Sequence, residues 1–100
     1  MQSSYAESFT REMGCTEAEW LGWLPAAIGA HPWQRDGASV AVQIDPGKLG
    51  IEWAPGEPRL LGRLVRIPRL HVRFAFSGLD EAQRHVFMKR FDLYMQRGGG

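Results

Sequence analysis

Cysteine is nearly missing from this chain. Cys15 stands alone, so no disulfide forms within it, and such sparing use fits a reducing compartment. Apolar runs are short, and none approaches the roughly 18–20 residues that span a bilayer. The opening Met-Gln-Ser-Ser-Tyr-Ala-Glu has neither a basic n-region nor an apolar h-region, so it does not read as a secretory signal. A cytoplasmic protein with no membrane partner is the expectation. Lysine is also scarce, two against ten arginines, and no acid occurs between Glu57 and Asp80.

Catalytic and ligand motifs are absent as well. Gly47, Gly50, Gly56 and Gly62 do not have phosphate-loop spacing, and they lie in strand and turn contexts rather than before a helix. No serine sits in a GxSxG elbow. His31, His71 and His85 lack the spacing of a zinc set, and one cysteine adds nothing to it. Glu17 and Glu19 are two apart on a helix and point to different sides, a poor acid/base pair. Cys15 precedes a helix, which lowers a thiol pKa, but Glu17 and Glu19 oppose that effect, and packing explains the residue better. The sequence therefore offers no catalytic residue, no metal ligand and no cofactor.

What is present suffices for one domain over residues 1–100, with 1–3 and 98–100 frayed. Hydrophobic residues make up 44% of the chain and charged ones 23%, an ordinary globular balance. Four Trp, five Phe and two Tyr each bury about 150–250 Å², enough for a core without cross-links. Charge is segregated: residues 1–30 carry −3, 31–58 carry −2, 59–79 carry +5 and 80–100 carry +1.

Tyr5, Phe9 and Met13 are spaced four apart, which reads as one face of a short helix over residues 4–13, stopped by Gly14. Thr16 and Glu19 form a capping box, with Cys15 and Trp20 at the positions of a hydrophobic staple. The helix that follows carries Trp20, Leu21, Trp23, Leu24, Ala27 and Ile28 in a stripe and ends near Gly29, with a kink or break expected at Pro25. Residues 30–37 read as a loop. Val40, Val42 and Ile44 alternate with polar or small residues, then Leu49, Ile51 and Trp53 do the same beyond Asp45-Pro46-Gly47-Lys48, a turn sequence. These two runs make a hairpin. Residues 59–67 alternate poorly, and Pro68 reads as the break between two strands. Leu70, Val72, Phe74 and Phe76 then alternate with His71, Arg73 and Ala75, a half-buried strand with a basic outer face. Asp80 and Gln83 cap a last helix from 81 to about 97, with Phe87, Met88, Phe91, Tyr94 and Met95 inward and Val86 and Leu93 away from that face.

The fold class that follows is α+β in two layers. An antiparallel sheet of three or four strands carries two N-terminal helices and one C-terminal helix on one face, leaving the other face open. Three functions compete. The first is a non-enzymatic interaction or assembly module that takes a protein partner or its own copy, with Val86 and Leu93 as interface candidates. The second is binding of nucleic acid or another polyanion through Arg63, Arg66, Arg69, His71 and Arg73, since guanidiniums suit phosphates. The plainer account of those side chains is a solvated face, or pairing with Glu17, Glu19 and Glu52. The third is a small-molecule enzyme with a pocket near His31, Trp33 and His71.

Overall fold

The computed structural model describes residues 4–97, so the expected fraying at both ends lies outside the described residues. Strand β1 (Ser8–Met13) leads to helix α1 (Glu17–Ile28). Strands β2 (Trp33–Asp36), β3 (Ser39–Ile44), β4 (Gly47–Pro55), β5 (Arg59–Leu61), β6 (Val65–Ile67) and β7 (Leu70–Ser77) follow, and helix α2 (Glu81–Arg97) ends the order. One sheet is five-stranded and antiparallel, ordered β1-β7-β4-β3-β2, while β5 and β6 form a separate two-stranded hairpin. The α+β class, the antiparallel sheet and the helix-covered face are as expected. The counts differ: there is one N-terminal helix rather than two, and it follows β1, while the sheet has five strands rather than three or four.

The missing helix is β1. Tyr5, Phe9 and Met13 do share a buried side, but a spacing of four is also a multiple of two. Phe9, Arg11 and Met13 turn inward while Ser8, Thr10 and Glu12 turn out, so β1 alternates as a strand at the edge of β7. Residues 30–37 hold β2, whose four side chains are all exposed. No apolar pattern announces such a strand. It is ordered by backbone pairing with β3 through the two-residue turn Gly37-Ala38, where Gly37 has a φ of 60°.

Other local signals hold. The Thr16 hydroxyl accepts from the Glu19 amide at 3.1 Å, and Glu19 Oε1 accepts from the Thr16 amide at 2.9 Å. Cys15 and Trp20 are both buried. Helix α1 is not split at Pro25: it runs unbroken from Glu17 to Ile28 with that residue on its exposed side, away from the packed face of Trp20, Leu24, Ala27 and Ile28. Removing the cap by Thr16→Ala should lower stability by about 1 kcal/mol, read by urea denaturation. An unchanged midpoint would mean that tertiary packing alone holds α1. At the other helix, the Gln83 amide donates to Asp80 Oδ1 at 2.8 Å and the Asp80 amide to Gln83 Oε1 at 2.9 Å.

The core lies between the sheet and the two helices. Val40, Val42, Ile44, Leu49, Ile51, Trp53, Leu70, Val72, Phe74 and Phe76 all face it and are buried. Rings interlock across the layers: Trp20 meets Trp53 at 5.7 Å and Phe91 at 6.1 Å, and Phe74 meets Phe91 edge-on at 5.5 Å. Trp53 Nε1 also donates to Glu17 Oε2 at 2.8 Å, which ties the start of α1 to β4. Edge-on aromatic pairs add about 0.5–1.5 kcal/mol beyond the area they bury.

Candidate functional site

The arginines that read as one basic set are divided by the fold into two groups. Arg69 and His71 turn toward β1, where Arg69 pairs with Glu12 and His71 Nδ1 lies 3.7 Å from the same carboxylate. Arg73 stands opposite Glu52 of β4 in register, with Thr10 on its other side. Opposite charges directly across strands attract by roughly 0.2–1 kcal/mol. Of the acids expected as partners, only Glu52 is a strand neighbour of this group. Glu17 instead accepts from Trp53, and Glu19 completes a cap. Glu12 was legible only once residues 8–13 formed a strand.

The open sheet face is thereby balanced. Glu12, Glu52 and Asp36 share it with Arg73, His71 and Lys48, and its middle row across the five strands is Ser8, Ala75, Gly50, Ala41 and Gln34. His71 is the only ring on this face among the described residues, so the stacking platform of a single-strand binder is missing.

Arg59, Arg63 and Arg66 belong to the second group, on the β5–β6 hairpin. Register pairs are Arg59 with Ile67, Leu60 with Arg66 and Leu61 with Val65, which leaves Gly62-Arg63-Leu64 as the turn. Gly62 takes a φ of 68° there, the left-handed geometry that favours glycine. The break at Pro68 is real, and the segment before it folds back on itself rather than running as one strand. The base of the hairpin is closed by the Gly56 amide donating to the Arg69 carbonyl at 2.9 Å. A side chain at Gly56 would run into the His71 ring, with the nearest ring atom 2.7 Å from the added carbon.

This hairpin is apolar as well as basic. Leu64 is 95% exposed at the tip, Leu60 is 62% exposed, and Leu61 and Val65 are about half exposed. A single exposed leucine is ordinary, but four large apolar side chains within six residues of a projecting turn are not. None of the three hairpin arginines forms an ion pair among the described residues. The signal was present as two apolar pairs around Gly62, short runs that alternate too briefly to reveal a strand.

A second feature lies at the other end of the sheet. Ile44 and Asp45 from the β3–β4 turn, Ala82, Val86 and Phe87 from α2, and His31 line an open depression of about 280 Å³. The His31 ring lies tilted against Phe87, ring centres 5.5 Å apart. Of the residues proposed for an enzyme pocket, His31 is here, while Trp33 and His71 are not. Val86 and Leu93 are both exposed on α2, 69% and 46%, and Val86 belongs to the depression.

The remaining reactive groups are inward. Cys15 is buried, and that burial, then the Glu19 carboxylate, push its thiol pKa up, the opposite of an activated nucleophile. Trp20 Nε1 and His85 Nδ1 are buried without a hydrogen-bond partner among the described residues, and neither residue lines the depression. No three His, Cys, Asp or Glu side chains gather as metal ligands among the described residues, and no described helix is long and apolar enough to cross a membrane. The chain matches no protein-family model, no curated protein and no solved structure.

Proposed function

We propose that this protein is a small interaction module that assembles with protein chains through the β5–β6 hairpin. The observation that carries this reading is the cluster of Leu60, Leu61, Leu64 and Val65 at the surface, set among Arg59, Arg63 and Arg66. Apolar surface of this kind gains about 25 cal/mol per Å² when a partner covers it. Arginine is enriched in such contacts because its planar head accepts both apolar and acidic neighbours. Self-association is the form expected first, since residues 1–58 carry −5 and residues 59–79 carry +5. Native mass spectrometry of untagged protein, purified at low salt from its own host, should show an oligomer or a bound chain. A bare monomer at every concentration would refute the reading.

The exposed Arg59, Arg63 and Arg66 favour a second reading, polyanion binding by the hairpin rather than by the sheet. Counterion release makes such binding fall steeply with salt. The Arg63→Ala/Arg66→Ala protein should then bind RNA or DNA more weakly and with a log–log salt slope shallower by about 2. Equal binding by parent and variant would exclude these side chains as phosphate contacts.

A further inference from the structure

The hairpin and the depression sit at opposite ends of the same strands. Strand β4 begins at the turn that supplies Ile44 and Asp45 and ends at Pro55, just before the hairpin. Its nine residues span about 30 Å at roughly 3.4 Å per residue, and the molecule is 48 Å in its longest dimension. A hairpin therefore cannot reach the depression of its own chain.

The two surfaces nevertheless match. The depression holds about 280 Å³ and is floored by Ile44, Ala82, Val86 and Phe87. An apolar cavity of about 150 Å³ already accepts benzene, so one leucine side chain has ample room. Leu64 is the most exposed large apolar residue described, carried at the tip of a turn and flanked by Arg63 and Arg66. Asp45 stands in the wall of the depression, and Glu81 immediately precedes Ala82 in the first turn of α2. Asp45 is the one carboxylate in that lining, which holds no Lys or Arg; Lys89 and Arg90 stand one helical turn beyond Val86. An apolar knob with guanidiniums beside it in sequence thus has a counterpart in an apolar hole with a carboxylate in its wall.

We infer that the partner is a second copy of this chain, joined head to tail, with Leu64 of one copy seated between the β3–β4 turn and α2 of the next. This rests on the interaction reading above and adds the partner and the geometry. Because knob and hole are different surfaces, the contact is heterologous: copies add in one direction and form either a ring or an open chain. The contact is small, so the association is weak and most visible at high concentration. Arg63 and Arg66 make it weaken with salt, as the screening length falls to about 8 Å at physiological ionic strength.

Sedimentation velocity over a concentration series tests this with Leu64→Ser, Val86→Asp and their equimolar mixture. Both positions are exposed in the single chain, so both variants should keep the parent's circular dichroism. The parent should grow beyond a dimer, or close into a ring, as concentration rises. Each variant alone should associate at least about tenfold more weakly, the scale of losing one buried leucine. The mixture should form a one-to-one dimer and nothing larger, because one intact hairpin then meets one intact depression.

If Val86→Asp associates like the parent while Leu64→Ser does not, the hairpin has another target and the head-to-tail geometry falls while the interaction reading stands. A mixture that stays monomeric although the parent associates points to hairpin-on-hairpin pairing and overturns the geometry in the same way. A parent that is monomeric throughout overturns the inference outright. Co-purification of another chain would then leave the interaction reading intact. Pelleting of that monomer with phosphatidylserine vesicles, or its binding to DNA, would assign the hairpin to an anionic lipid surface or to nucleic acid.

Discussion

Phe74→Ala should destabilise the protein by about 3–5 kcal/mol, the range for emptying an aromatic from a packed core. Phe74 is fully buried on β7, the strand paired on both sides by β1 and β4. Its ring stacks on Phe9 at 4.8 Å and meets Phe91 edge-on, and the Arg11 guanidinium lies 5.2 Å from its centre. One residue therefore joins the edge strand, the central sheet and α2. Domains of this kind are stable by only about 5–15 kcal/mol, so the loss is roughly a fifth or more of the total. Leu64→Ala, at the exposed hairpin tip, should stay within about 0.5 kcal/mol in the same urea titration. If the two variants proved equally mild, the core would not be organised around Phe74.

The next largest effect is expected at Asp92. Its carboxylate accepts from Tyr5 at 2.7 Å through Oδ2 and from Arg11 at 2.6 Å through Oδ1, joining α2 to the N-terminal segment. Arg11 also lies over the Phe9 and Phe74 rings, so it is held against apolar surface. Removing one partner of such a pair leaves the other charge poorly solvated, which costs about 3–5 kcal/mol when the pair is fully buried. Here both side chains keep about a quarter of their exposure, so Asp92→Ala should cost about 2–3 kcal/mol. Adding Arg11→Met should recover part of that loss, since no stranded charge remains. Additive losses in the double variant would show that the two residues act independently.

The same cluster sets an alkaline limit. Burial first, then the bond to Asp92, push the Tyr5 phenol from its ordinary 10.0 up to about 12. The folded state thus favours the protonated phenol. That contribution is fully present below about pH 10 and is lost as pH rises toward 12. Melting temperature should fall more steeply across this window for the parent than for Tyr5→Phe. Parallel curves would place the alkaline transition elsewhere.

Phe74 and Asp92 also show how far local pattern reaches. That Phe74 is core follows from Leu70, Val72, Phe74 and Phe76 alone, because period two admits one inward side on a strand of that length. The hairpin of β3 and β4, both capping boxes and the bounds of α2 rest on the same kind of information, turn chemistry and periodicity within a few residues. Tyr5, Phe9 and Met13 were ambiguous, since a spacing of four suits a helix and a strand alike. The neighbour β7 resolves it, and with it the partner of Arg69.

Residues 59–67 show the other boundary. Their poor alternation reads as one further strand ahead of the break at Pro68, yet the fold turns them into a separate hairpin detached from the sheet, leaves Leu64 in solvent and turns Arg69 back onto Glu12. The depression 30 Å or so away along β4 draws on His31, Asp45 and Val86, which no spacing rule connects. Pairings within a turn or two are written in adjacent residues, where chain entropy is small and side-chain period decides. Those between distant segments depend on which strands become neighbours, and that choice belongs to the packing of the whole core.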